Sequence, residues 1–310
     1  MERRYKAILV GNGTMGGRHR ARFEMCNVDF VAVLDNQKDF DGIAERLNAG
    51  GRTAGGLLAD FAVIASPAST HYAYAKFFLE RKIPVFVEKP LAIAGEEAQE
   101  LVDLAAKNDT LLFVAQSECF NPIFLNFRKH FLAELNARLG AGDKLPAGNV
   151  RLEFRREHKY SERCRDVNVS LDLLVHDLSL FFTLFKYGDV DVVNFEPVGA
   201  AGKECYDAAI LRLVVARGPY RGVSADFFVN RDSDRDVRTI SVDFGRSAEK
   251  PHSDYTVSLA RYTADGEIAH IPDSLDNEHR FFVKILAGAC ADLSRRAAQN
   301  AADCVKVAGE

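Results

Sequence analysis

The stretch Tyr5-Lys6-Ala7-Ile8-Leu9-Val10-Gly11-Asn12-Gly13-Thr14-Met15-Gly16 decides how the rest of the chain reads. Its first half is a short, mostly apolar run of strand length. Its second half is a G-x-G-x-x-G that leads into a helical stretch to about Met25. The three glycines of such a turn serve separate needs, namely a tight bend, close approach of backbone to a pyrophosphate, and close helix–strand packing. The amides that open the helix then face the phosphates. Gly11, Asn12, Gly13, Thr14, Met15 and Gly16 are therefore candidate contacts for a dinucleotide. Glycine-rich turns are common, and it is the strand before and the helix after that give this one its weight.

A second apolar strand, Val28–Leu34, ends in Asp35, nineteen residues after Gly16. An acid at that separation accepts hydrogen bonds from adenosine ribose hydroxyls, and its charge repels a 2′-phosphate, which favours NAD over NADP. The plain alternative is a turn residue closing a strand. A third strand, Phe61–Ala65, is followed by Ser66, Pro67 and His71, which the same crevice would receive. On its own, His71 reads as a packed or solvated histidine before a catalytic one. Thr70 is placed to cap a helix carrying Tyr74, Phe77 and Phe78 on one face. Pro84-Val85-Phe86-Val87-Glu88-Lys89-Pro90 is a fourth strand cut off by a carboxylate, an amine and a proline. Polar groups just past the carboxyl end of such a strand sit where open α/β sheets bind ligands, and Pro90 biases Lys89 away from helix. Glu88 and Lys89 thus become site candidates, against the bland reading of a surface ion pair. A helix near Gly95–Ala106 and a strand at Leu111–Ala115 complete five strands alternating with helices, the pattern of a doubly wound parallel Rossmann sheet over residues 1–120.

From residue 121 the rhythm changes. Asn121–Leu139 reads as a helix with Phe124, Phe127, Phe131 and Leu135 on one face, then a loop to Gly148 and a strand at Val150–Glu157. Arg155 and Arg156 on that strand are candidates for gripping an anionic substrate, or else they form a solvated edge. Ser170–Phe185 reads as a largely buried helix on which Asp172 and His176 share a face. A carboxylate and an imidazole there must be paired or line a cavity, because unpaired burial is costly. Strands at Asp207–Val215, Gly222–Val229, Val237–Phe244 and Tyr255–Tyr262 in series suggest a mostly antiparallel open sheet, an α+β domain over 121–310. The Asp- and Arg-rich segment Arg231–Arg238 reads as a solvated connection. Helices are expected at Ser274–Ala287 and Ala291–Val307. An open sheet face needs a cover, and self-association is the usual one.

A net charge of −4 gives no electrostatic case for nucleic acid or an anionic membrane. No apolar run is long enough to span a bilayer, and only the short run Ala7–Val10 leads into Gly11, too few apolar residues for a signal peptide. Six scattered cysteines with no C-x-x-C argue for reduced thiols in a cytoplasmic protein and against a metal site.

Three motifs stand in one order: Gly11–Gly16 with His19, then Glu88-Lys89-Pro90, then Asp172-x-x-x-His176. Together they resemble the glucose-fructose oxidoreductase / inositol dehydrogenase / MocA-like (Gfo/Idh/MocA) family, over nearly the whole chain and including Glu278-x-x-Phe281. Two segments are closer to its UDP-N-acetylglucosamine 3-dehydrogenase type: Glu118-Cys119-Phe120-Asn121-Pro122 and Asp166–Leu178. Cys119 stands where that type has arginine, and Asn168 where glycine is common. The resemblance implies a nicotinamide cofactor, a Lys89–Pro90 junction that admits a cis peptide, and Lys89, Asp172 and His176 as active-site polar groups. It also implies a homodimer or homotetramer built through the second domain's sheet. The activity implied is NAD-dependent oxidation of a sugar hydroxyl, C3 of a UDP-linked N-acetylhexosamine. The alternatives are a dehydrogenase or ketoreductase of a free sugar or cyclitol, and a non-catalytic NAD-binding regulator.

Overall fold

The computed structural model describes residues 3–48, 59–140, 150–159, 166–198, 205–245, 254–260, 273–288 and 291–309. The chain divides into two compact units, Met1–Gln116 with Leu275–Lys306, and Ser117–Ser274 with Val307–Glu310.

In the first unit, β1 (Tyr5–Val10), β2 (Val28–Leu34), β3 (Phe61–Ile64), β4 (Val85–Glu88) and β5 (Leu112–Ala115) form one parallel sheet in the order β2-β1-β3-β4-β5. Strands β3, β4 and β5 are buried at every position, as strands covered on both faces must be. That is why they read as unbroken apolar runs rather than alternating ones. The chain order reverses between β1 and β3, so their carboxyl ends flank the crevice where doubly wound sheets take ligands. Helices α1 (Thr14–Met25), α2 (Gln37–Asn48), α3 (His71–Glu80) and α4 (Gly95–Lys107) connect the strands. Phe40 of α2 packs against Tyr74, Phe77 and Phe78, the face expected of α3. Thr70 does not supply the expected cap. Its hydroxyl turns back to the Pro67 carbonyl and the Ser66 hydroxyl instead, both at 2.7 Å.

The second unit opens with α5 (Pro122–Gly140), whose buried stripe is Phe124, Phe127, Phe131 and Leu135. Strand β6 (Arg151–Glu157) follows, then α6 (Val175–Leu184), entered through a wide π-type turn at Ser170–Leu174. The remaining strands are β7 (Val190–Val198), β8 (Ala208–Val215), β9 (Ser224–Asn230), β10 (Val237–Asp243) and β11 (Tyr255–Ser258). They build a six-stranded sheet in the order β11-β10-β6-β9-β8-β7, antiparallel except where β6 meets β9. Alternation sets its two faces: Leu152, Phe154, Leu211, Leu213, Ala225 and Phe227 are buried, and Phe154 and Phe227 pack on Phe181 of α6. The opposite face carries Arg151, Arg212 and Asp226 in one ion-paired row.

The last helices, α7 (Ser274–Leu286) and α8 (Ala291–Ala308), count almost wholly with the first unit, although sequence alone groups everything after residue 120 together. The reason is apolar packing: Phe282 of α7 lies 4.9–5.7 Å from Phe23, Phe61, Phe86 and Phe113, ring centre to ring centre. Helix α8 approaches α4 so closely at Gly95 that a methyl there would lie 2.8 Å from Lys306 Cγ. The expected loop up to Gly148 and the end of the Tyr255–Tyr262 strand lie outside the described residues. No helix among the described residues is long and apolar enough to cross a membrane.

Candidate active site

The glycine turn follows β1 directly and opens α1. Gly11 has φ +88°, and a Cβ on it would meet Ser66 N at 2.5 Å, so only glycine fits the bend. A Cβ at Gly16 would lie 2.0 Å from the Gly11 carbonyl oxygen, which is the close helix–strand approach. At Gly13 a Cβ would meet nothing within 4 Å, leaving that side of the turn open. Gly17 N–H bonds the Gly13 carbonyl at 2.9 Å, and the amides before it have no acceptor within the helix. This is the division of labour a pyrophosphate requires, so the residues present fit a dinucleotide.

Asp35 is exposed at the end of β2, where one carboxylate oxygen accepts the Asn12 N–H at 2.8 Å. The acid is thereby tied to the glycine turn. Ser66 and Pro67 follow β3 beside Gly11. His71 is buried, with Nδ1 2.6 Å from the Pro90 carbonyl oxygen and Nε2 2.9 Å from that of Ser66. It acts as a strut between two strand-end loops. Burial pushes its pKa below the usual histidine value, against those two carbonyls.

Lys89 directly follows β4, half-buried, and its peptide bond to Pro90 is cis. Glu88, the last residue of β4, is buried and holds two partners. One carboxylate oxygen lies 2.7 Å from His19 Nε2, and the other accepts the Lys89 N–H at 3.0 Å. Burial alone would raise the Glu88 pKa, but the His19 hydrogen bond and the charges of His19 and Lys89 outweigh it and bring it below the ordinary carboxylate range.

In the second unit, Asp172 lies in the π-type turn and is buried; His176, one turn on, is half-buried. Arg231 reaches Asp172 at 3.6 Å and Asp207 at 2.9 Å. Only 5% of its side chain is exposed, so Arg231 does not belong to a solvated connection. Its Asp- and Arg-rich setting hid it, since composition records charge and not which residue turns inward.

Arg156 is also buried, with Asp177 on three hydrogen bonds of 2.8–3.2 Å and Glu118 at 3.2 Å. Its donors are directed at carboxylates of its own unit, so the anion-gripping reading does not hold for it. Arg155 pairs with Glu157 and lies over the Phe228 ring at 4.6 Å, partly exposed. The Glu118-Cys119-Phe120-Asn121-Pro122 segment is tied into the same cluster. Asn121 caps α5 through the Ile123 N–H at 2.9 Å and donates to Glu118 at 3.1 Å.

Residues 5–116 match the family model described as an oxidoreductase family with an NAD-binding Rossmann fold. The chain is 27% identical over 253 residues to the UDP-N-acetylglucosamine 3-dehydrogenase of Acidithiobacillus ferrooxidans, covering 76% of this chain and 75% of that one. A solved structure of that enzyme superposes with a TM-score of 0.66 at 21% identity, over 99% of this chain and 98% of the other. An inositol 2-dehydrogenase of Acidothermus cellulolyticus is 28% identical over 228 residues, 69% of this chain and 64% of its own. An inositol dehydrogenase homologue of Azotobacter vinelandii, solved with NADH and myo-inositol, gives a TM-score of 0.70 at 16% identity, over 99% of this chain and 94% of the other.

Proposed function

We propose that this chain, whose residues 5–116 match the Gfo/Idh/MocA oxidoreductase family with its NAD-binding Rossmann fold, oxidises C3 of a UDP-linked N-acetylhexosamine to the ketone. The observation that carries the reading lies within the first unit. The glycine turn follows β1 and Lys89 follows β4, so the nucleotide turn and the amine share the carboxyl edge of one parallel sheet. Similarity to the Acidithiobacillus ferrooxidans enzyme supports the nucleotide sugar. Similarity to inositol 2-dehydrogenases favours a second reading, a free sugar or cyclitol.

Gly11–Gly16 receive the pyrophosphate, with Ser66 and Pro67 beside them, and Asp35 accepts from the ribose hydroxyls and disfavours a 2′-phosphate. When bound, NAD accepts a hydride from the carbinol carbon. The hydroxyl proton leaves in the same oxidation and needs an acceptor. His176 takes that proton, an imidazole being suited to exchange near neutrality. Asp172, held beside Arg231, accepts from the neighbouring hydroxyl and orients the ring. Lys89 donates to the developing alkoxide oxygen and shares in moving the proton. Arg155, the more exposed of the two β6 arginines, is the one left to meet a phosphate. Exposed Val192, Val193 and Tyr255 on β7 and β11 support a homo-oligomer joined through the second unit's sheet.

The test is NADH absorbance after mixing protein and NAD with UDP-N-acetylglucosamine, myo-inositol or glucose. Turnover is expected with the nucleotide sugar and is expected to fall about 100-fold or more in Lys89→Met and in His176→Ala. Near-normal turnover in both variants overturns these roles. Tight NAD binding with no turnover on any of the three identifies a regulator.

A further inference from the structure

The first unit buries a line of titratable side chains drawn from three distant parts of the chain: Glu88 at the end of β4, His19 on α1 and His279 on α7. Their proton order is fixed by acceptor chemistry. His279 Nδ1 lies 2.5 Å from the Leu275 carbonyl oxygen, which can only accept, so Nδ1 carries a hydrogen. Burial, then the charge of His19, lowers the His279 pKa to about 3, so near neutrality its other nitrogen is bare. That Nε2 lies 2.9 Å from His19 Nδ1, which must therefore be the donor. His19 Nε2 then meets Glu88 at 2.7 Å with one proton between them, and the other Glu88 oxygen accepts the Lys89 N–H at 3.0 Å.

From this geometry we infer that His279 and His19 form a one-directional hydrogen-bond chain that holds the Glu88 carboxylate and so aims the Lys89 turn. His279, near the carboxyl end of the sequence, is thereby a positioning residue for a lysine 190 positions earlier. The inference rests on the role proposed for Lys89. Aromatic rings wall the chain off from water: Phe23 and Phe86 lie 4.3 and 5.3 Å from the His279 ring, centre to centre, and Phe86 lies 5.1 Å from the His19 ring. The charged and titratable groups facing it are His71 and Lys89 at the strand ends, Glu278 on α7, and Arg22 on α1 with its partner Asp276. A misplacement of about 1 Å at a reacting group can cost on the order of 100-fold in rate, so a turn held this way is sensitive to its farthest support.

Two substitutions separate the hydrogen bond from the packing. His279→Phe keeps an aromatic ring against Phe23 and Phe86 but offers His19 no acceptor. His279→Gln offers an amide oxygen near the former Nε2. The readout is the Lys89 backbone amide in a ¹H–¹⁵N spectrum of the full chain with NAD, because that N–H reports the far end of the chain without any substrate. It is expected to shift in His279→Phe and to return towards its normal position in His279→Gln. Where the nucleotide sugar is turned over, kcat is expected to fall about ten- to a hundredfold in His279→Phe with KM for NAD unchanged. Long-range ¹H–¹⁵N spectra of the unsubstituted protein keep the test independent of either variant's folding. They should show His279 and His19 as Nδ1–H donors. A Lys89 amide unmoved in folded His279→Phe, or His279 found as the Nε2–H tautomer, overturns the inference. Absence of turnover with every sugar overturns the functional reading alone.

Discussion

Both units bury polar clusters, and they do it with opposite chemistry. The second unit surrounds guanidiniums: Arg156 lies among Asp177 and Glu118, and Arg231 beside Asp172 and Asp207. A guanidinium keeps its charge at any pH a protein meets, and its fork matches carboxylates bidentately. The first unit surrounds imidazoles and carboxyls: His19, His279 and Glu88 in a line, with fully buried Glu278 beside them. There the charge depends on where protons sit. The cluster beside Asp172 is thus fixed in sign, and the one beside Lys89 is tuned by proton count.

The comparison breaks most visibly if the guanidinium of Arg156 is removed. Arg156→Met retains much of the stem's volume but leaves Asp177 and Glu118 buried with only Arg238, 3.6 Å from Glu118, as counter-charge. Breaking a buried pair from one side costs about 3–5 kcal/mol. Denaturant unfolding at neutral pH should therefore show a loss of that order, and a smaller one at pH 5, where the uncovered carboxyls take up protons. A loss below about 1 kcal/mol would mean that the carboxylates find other partners and that the cluster is not organised by Arg156.

A smaller effect separates the two units by pH. His279 is lowered from 6.5 to about 3 in the folded chain. Between those values the unfolded state binds the additional proton, so this group's stabilising contribution is complete above pH 6.5 and is lost as the pH falls towards 3. At pH 5 the loss is about 2 kcal/mol, taking roughly 1.4 kcal/mol per unit below 6.5. His279→Gln should flatten this acid limb, and equilibrium unfolding at pH 7, 6 and 5 measures it. An acid limb of unchanged slope in the variant would assign the loss to other groups, Glu88 first among them.

Local pattern carried the first unit's nucleotide turn well and its proton chemistry hardly at all. Gly11–Gly16 announce themselves because the bend, the open side and the close packing each need glycine at a fixed place in a strand–turn–helix unit. The place of Lys89 just past β4 was legible for the same reason, since a strand, a charged pair and a proline are neighbours in sequence. His279 and Phe282 show only an amphipathic helix; which sheet that helix covers is settled by apolar complementarity over some 200 positions, on which no local period bears. Arg156 and Arg231 failed in the other direction. Single arginines in charged surroundings look solvated, and only the fold decides which of them turns towards a buried carboxylate.

The smallest effect is the sharpest test of the proton-tuned side. Glu278 is fully buried, and neither of its oxygens has a hydrogen-bond partner. Burial, and then the charge of Glu88, hold its pKa well above the ordinary carboxylate value, so it stays protonated in the folded chain near neutrality. Its linkage runs opposite to that of His279. Above pH 4.5 the unfolded carboxyl releases its proton while the folded one keeps it, so stability falls as the pH rises through this window. Glu278→Gln preserves shape and neutrality and removes the proton that folding must retain. The variant is expected to equal the parent chain near pH 4 and to exceed it by on the order of 1 kcal/mol at pH 7, a gain typical of one relieved defect. Thermal unfolding across that range reads the difference. Because Glu278 is already uncharged when folded, the substitution leaves the field at Glu88 as it was, and the Lys89 amide should not move. A Glu278→Gln chain that is less stable at pH 7 than at pH 4, relative to the parent, would mean that Glu278 is ionised in the fold, and the first unit would then be organised by fixed charge as the second one is.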